Sequence, residues 1–107
     1  MNLLYPHLSV NQAGHLAIGG ADTLELAQTY GTPLYVMDED AVRRMCRIYR
    51  QAALEAFGQD ALPLYASKAL CCARMYRIAA EEGMGVACVS GGELYTARHS
   101  PAHHTRH

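Results

Sequence analysis

The sequence predicts an α/β fold in which short parallel strands alternate with helices. One sign is the run Leu62, Leu64 and Tyr65, opened by Pro63, which reads as a short buried strand and is followed by Cys72, Met75, Tyr76 and Ala79 at helical spacing. A second is Gly83 and Gly85, which turn the chain into another apolar run, Val86 to Val89. A third is the stripe Val42, Met45, Cys46, Tyr49, Ala52, Ala53, Ala56 and Phe57, an i, i+3, i+4 pattern that ends at Gly58. Successive parallel strands need a crossover of this kind, and its connection is right-handed.

From the N-terminus, Leu8-Ser9-Val10 and His15-Leu16-Ala17-Ile18 flank Asn11-Gln12-Ala13-Gly14 and predict a hairpin with a four-residue loop. Asp22, three residues before Glu25, opens a helix over 23–30 carried by Leu24, Leu26, Ala27 and Tyr30 and stopped by Gly31 and Pro33. Leu34, Tyr35 and Val36 read as a short strand between Pro33 and Met37. The long helix starts at Asp38 or Asp40, and Asp38, Glu39 and Asp40 suit its N-terminal dipole. Arg43, Arg44, Arg47 and Arg50 lie on its other face and are expected to be solvated rather than to form an anion site. A strand over 62–67, a helix over 70–82 and a strand over 86–89 follow. Ser90 and Glu93 then make a Ser-x-x-Glu capping box, with Gly91 and Gly92 inside it leaving room for another group to approach the backbone.

Lys68 is the only lysine of the 107 residues, and it falls at the strand-to-helix junction where α/β folds place their chemistry. An amine held against the apolar residues around it loses hydration of its charged form, which favours a neutral nucleophile able to form a Schiff base. The alternative is a lysine that lays its stem along the core and keeps its ammonium in water.

Composition narrows the classes. Half the residues are hydrophobic, which excludes compositional disorder, and a net charge of −1 argues against a nucleic-acid or anionic-membrane partner. No run of about 18 apolar residues is present, and Met1 to Pro6 lacks the pattern of a secretory leader, so the chain reads as cytoplasmic. Cys46, Cys71, Cys72 and Cys88 have neither zinc-ligand nor Cys-x-x-Cys spacing and are expected to be reduced, with Cys46 and Cys72 as small hydrophobes on helix faces.

Two stretches together, Tyr65-Ala66-Ser67-Lys68-Ala69-Leu70 and Gly83 to Ala97 with Val89-Ser90-Gly91-Gly92-Glu93-Leu94 inside it, resemble the pyridoxal-phosphate-dependent diaminopimelate decarboxylases. The phrase Gly31-Thr32-Pro33-Leu34-Tyr35-Val36-Met37-Asp38 looks like their entry segment, and the resemblance runs from Tyr5 to Ala97. It implies an alanine-racemase-like (β/α)8 TIM barrel that binds pyridoxal 5'-phosphate, with Lys68 as the Schiff-base lysine and Ser90, Gly91, Gly92 and Glu93 lining the site. It implies no metal, an amino-acid substrate, a homodimer for the full-length protein, and formation of L-lysine and CO2 from meso-diaminopimelate. The chain departs from the family pattern at Leu70, where Asn is commonest, and at Ala87, where Asp is usual. The second removes a carboxylate from near the pocket.

A complete barrel of this type takes about 250 residues. The expected organisation is therefore an N-terminal hairpin and short helix over 1–33, the first βα units of an unclosed barrel over 34–97, and a His-rich tail unlike the family over 98–107. The family's histidine against the pyridine ring, its glycine-rich phosphate loop, its acid for the ring nitrogen and its partner-subunit cysteine would all come later. A chain of this length is expected to be inactive alone and, with open strand edges, prone to aggregate. His99, His103, His104 and His107 could hold nickel or zinc weakly, but Pro101 and the lack of a helix to fix their spacing favour an accidental tail, such as a frameshift or premature stop would produce. The competing readings are a fragment of an ornithine or arginine decarboxylase or of an alanine racemase, and a non-catalytic piece that binds the rest of a split barrel.

Overall fold

The computed structural model describes residues 5–100 and is an α/β structure with two separate sheets, neither of them closed. Residues 1–42 and 43–107 form two compact units, and the division falls inside the long helix.

In the first unit β1 (Leu8–Val10), β2 (Leu16–Ile18) and β3 (Ala21–Asp22) form an antiparallel meander in that order. The predicted hairpin is present, with Leu8 opposite Ile18 and Val10 opposite Leu16. Its loop is made by Asn11, whose Oδ1 accepts from the N–H groups of Ala13 and His15, and by Gly14, whose φ of 78° no β-branched residue would tolerate. The third strand was not anticipated, because two residues before a helix carry no alternation to read. Asp22 ends that strand and caps α1 (Thr23–Tyr30), its Oδ1 accepting from the N–H groups of Leu24 and Glu25.

The strand expected at Leu34 to Val36 does not form. No strand among the described residues takes up its backbone groups, and Tyr35 is 100% exposed. The long helix, α2 (Glu39–Phe57), matches the prediction, and Asp38 caps it by accepting from the N–H groups of Asp40 and Ala41. Its apolar stripe is largely uncovered among the described residues: Cys46 is buried, whereas Tyr49 is 62% and Phe57 83% exposed.

The second unit carries β4 (Leu64–Ala66), α3 (Ala73–Glu81), β5 (Gly85–Ala87) and α4 (Gly91–Arg98). β4 and β5 pair in parallel, with Leu64 opposite Gly85 and Ala66 opposite Ala87, as the strand-helix-strand pattern predicted. Both strands are shorter than expected, and β4 is not the buried strand that the residues suggested, since Leu62 and Leu64 are more than half exposed. The core lies on the inner face of α3, where Met75, Tyr76, Ile78 and Ala79 are buried, with Cys46 of α2 and Ala97 of α4 also buried. α3 starts three residues later than predicted, because Leu70 and Cys72 are extended and Cys72 stands at the N-cap.

The arginines of α2 are not a uniformly solvated face. Arg43 reaches Glu81 at 2.6 Å and Glu82 at 3.1 Å, and Arg47 grips Glu82. Glu82 is held below the usual carboxylate range, chiefly by Arg47 and next by Arg43. Thirty-odd residues separate these partners, so spacing along α2 alone could not reveal them.

All four cysteines are free, and Cys46 is buried as expected; Cys72 stands at the N-cap position of α3, with no side-chain capping bond, rather than on a helix face. Among the described residues no helix is long and apolar enough to cross a membrane, and no three metal-binding side chains converge. His99 closes α4, its Nδ1 lying 2.7 Å from the carbonyl oxygen of Tyr95. His103, His104 and His107 lie outside the described residues.

Candidate functional site

β4 ends at Ala66 and the chain enters a single 3₁₀ turn, Ser67–Ala69, with Lys68 at its centre. Because Ala66 pairs with Ala87, this turn and the segment after β5 leave the same carboxyl edge of the sheet, where neighbouring strands run about 4.8 Å apart. Lys68 follows the first strand, and Ser90-Gly91-Gly92-Glu93 follows the second as the first turn of α4.

Lys68 is exposed, and it makes no hydrogen bond or ion pair among the described residues. The apolar enclosure expected around it is not supplied by these residues. The turn that carries it is nevertheless firmly tied. Ser67 is 0% exposed, and its Oγ is hydrogen-bonded to the hydroxyl of Tyr76, itself 2% exposed. That hydroxyl also donates to Cys71 Sγ at 3.1 Å, and the Tyr65 hydroxyl donates to the carbonyl oxygen of Leu70 at 2.9 Å. Burial pushes the Tyr76 hydroxyl up, with Cys71 adding to the effect, and burial likewise pushes Tyr65 up. Both therefore remain O–H donors at neutral pH.

Ser90 caps α4 as the sequence indicated, its Oγ accepting from the N–H of Glu93 at 3.1 Å. The box closes differently from the usual pattern, since Glu93 Oε2 accepts from the Ser90 hydroxyl at 3.0 Å. The other carboxylate oxygen, Oε1, is buried with no hydrogen-bond partner among the described residues. The nearby Ser67 hydroxyl is the chief cause that holds Glu93 below its ordinary range, while burial opposes it. The directed bond of Ser67 goes to Tyr76, so Oε1 keeps no partner of its own.

Sequence reasoning singled out Lys68 and the Ser90 to Glu93 turn but not the Ser67, Tyr76 and Cys71 network or the separate Tyr65 bond to Leu70. The available signal was Tyr76 itself, placed in an apolar stripe where a phenol must find a partner for its hydroxyl.

A parallel βαβ unit that shows a lysine at the carboxyl end of one strand and a capped, glycine-rich helix start at the end of the next defines an α/β chain of the class that binds ligands at that edge. The family model described as pyridoxal-dependent decarboxylase, pyridoxal binding domain, matches residues 40–105. The chain belongs to this family of pyridoxal-dependent decarboxylases. It is 51% identical over 88 residues to the diaminopimelate decarboxylase of Bacillus methanolicus and 52% identical over 87 residues to that of Bacillus subtilis. These alignments take in 82% and 81% of this chain, which spans only 20% of the length of each relative. Among solved structures, diaminopimelate decarboxylase from M. jannaschii in complex with L-lysine superposes with a TM-score of 0.75 at 36% identity, covering 89% of this chain and 22% of that one.

The residues present fit one end of a pyridoxal cofactor. Lys68 offers an amine with no competing carboxylate among the described residues, and at Gly91 an added Cβ would meet nothing within 4 Å, so a group can approach the first turn of α4 closely.

Proposed function

We propose that this chain is the N-terminal part of a diaminopimelate decarboxylase, contributing the first βα units of a pyridoxal-phosphate-binding (β/α)8 barrel of the alanine racemase type. The observation that carries the reading is the exposed Lys68, unpaired among the described residues, at the carboxyl end of β4 beside its parallel neighbour β5. The family match and the identity to diaminopimelate decarboxylases favour this substrate over ornithine, arginine or alanine.

Lys68 is the residue that would hold pyridoxal phosphate, through its ε-amine. Bound cofactor supplies an electron sink for the pair left on carbon when CO2 departs. Ser90 fixes the start of α4, Gly91 and Gly92 leave its backbone open to approach, and Glu93 places a carboxylate at the same edge. With about a fifth of the relatives' length, these residues hold and orient but do not complete a reaction. The domain plan of an N-terminal hairpin with a short helix, barrel units and a tail belongs to this proposal, as do a cytoplasmic location and a homodimer for the whole protein.

A second reading, a piece that docks on the remainder of a barrel, is favoured by the exposed Met45, Ile48, Tyr49, Leu62 and Leu64.

The test joins residues 1–97 to the part of the Bacillus subtilis decarboxylase that follows its matching segment. The chimera is expected to form L-lysine from meso-diaminopimelate, and Lys68→Ala to abolish it. A folded chimera in which Lys68→Ala leaves turnover intact would overturn the assignment of Lys68. The 107-residue chain alone is expected to give no turnover.

A further inference from the structure

We propose that Tyr76 is the positioning residue for Lys68: its buried hydroxyl ties together the two ends of the Ser67 to Cys71 loop and so fixes where the lysine amine is presented. The inference rests on the reading of Lys68 as the cofactor-holding residue and assigns a part to a residue that reading does not use.

The geometry is that of a closed loop with a single internal post. Ser67 enters the loop, wholly buried, with its Oγ on the Tyr76 hydroxyl. Cys71 leaves it, with its Sγ on the same hydroxyl. Between them lie Lys68, Ala69 and Leu70, and the Leu70 carbonyl is held separately by Tyr65. Tyr76 sits on the inner face of α3 and cannot follow the loop outward without leaving the core. A side chain on a loose exposed turn would otherwise sample many positions, and anchoring both ends of its loop removes the backbone share of that freedom before any ligand arrives.

One hydroxyl with two partners also sets a limit on the hydrogens. If Tyr76 donates to Cys71, Ser67 must donate to Tyr76. Because Tyr76 does donate to Cys71, the Ser67 hydrogen lies on Tyr76 rather than on Glu93 Oε1, and one hydroxyl holds both ends of the loop at once.

The experiment uses the purified 107-residue chain with two reagents for its single lysine. Pyridoxal phosphate trapped with borohydride reports an amine held in place, acetic anhydride reports plain accessibility, and the N-terminal amine is the internal control in both. In Tyr76→Phe, which loses the bonds to both Ser67 and Cys71, the trapped adduct at Lys68 is expected to form at least about threefold more slowly, while acetylation is unchanged. Ser67→Ala, which loses one of the two bonds, should slow it less, and the double variant should match Tyr76→Phe. Cys71→Ser, which keeps an acceptor, should behave as the unaltered chain. If Tyr76→Phe keeps its circular dichroism spectrum and labels Lys68 with pyridoxal phosphate at the original rate, the positioning role is overturned.

Should the unaltered chain form no trapped adduct at Lys68, the cofactor reading fails instead. The post is then judged from amide exchange of residues 67–71: faster exchange in Tyr76→Phe supports it, and unchanged exchange overturns it.

Discussion

Arg47 holds Glu82 at two points, Nε to Oε2 at 2.8 Å and Nη2 to Oε1 at 2.9 Å. This forked pairing joins α2 to the end of α3, and Arg43 shares the same carboxylate. Lysine cannot reproduce two parallel bonds. Arg47→Lys is therefore expected to lower the urea midpoint of the chain, and Arg47→Ala to lower it further. Both effects should shrink in a Glu82→Gln background. Equal losses in the two backgrounds would show that the pair is not coupled.

Acid should loosen the first unit at one carboxylate. Asp22 is lowered from 3.8 to about 2, first by His15, whose Nδ1 is 2.8 Å away, then by Asn11. Its folded value is below its unfolded one, so the stability it contributes is fully present above pH 3.8 and disappears as the pH falls toward 2. Asp22→Asn keeps a good N-cap without the charge and should flatten that dependence. Circular dichroism of both chains across pH 5 to about 2 makes the comparison.

The cap of α4 can be tested through Ser90. Ser90→Ala removes the acceptor for the Glu93 N–H and is expected to cost about 0.5–2 kcal/mol, whereas Ser90→Asn should be nearly neutral. Amide exchange at Glu93 is the readout, with faster exchange in the alanine variant only.

Gly83 and Gly58 separate backbone strain from crowding. Both have positive φ, 77° and 90°, but a Cβ at Gly83 would lie 2.5 Å from Arg50 Nε, while at Gly58 it would meet nothing within 4 Å. Gly58→Ala is expected to cost about 1–2 kcal/mol for the left-handed backbone. Gly83→Ala should cost about the same, because the flexible Arg50 side chain can move aside, and adding Arg50→Ala should change little. Chemical denaturation of the three variants decides this.

The uncovered face of α2 predicts a solubility effect. Ile48→Lys and Phe57→Glu replace residues that are 54% and 83% exposed, so they should reduce self-association without lowering the unfolding midpoint. Light scattering and a urea titration measure the two quantities.

What could be read in the sequence was local. The Asp22 and Ser90 caps are written in residues three apart, and α2 in a stripe that repeats over five turns. The end of β4 was legible because a strand pattern gives way to a helical one on either side of Lys68. The Tyr76 post was hidden because Ser67 and Cys71 reach it only after the loop folds back over α3. The Arg43 and Arg47 pairs with Glu81 and Glu82 depend on two helices meeting. The strand expected at Leu34 failed for a related reason: a strand is a property of two segments, and no second one is present among the described residues.

The direct pairing of β4 with β5 has a kinetic consequence. Leu64 meets Gly85 across one short crossover, so closing it costs little chain entropy, and lengthening such a loop twofold adds only about 0.6 kcal/mol. Parallel pairing across a whole helix is non-local all the same, so it forms later than the helix it encloses. During synthesis from the N-terminus, the edge that presents Lys68 therefore cannot take shape before β5 has emerged from the ribosome.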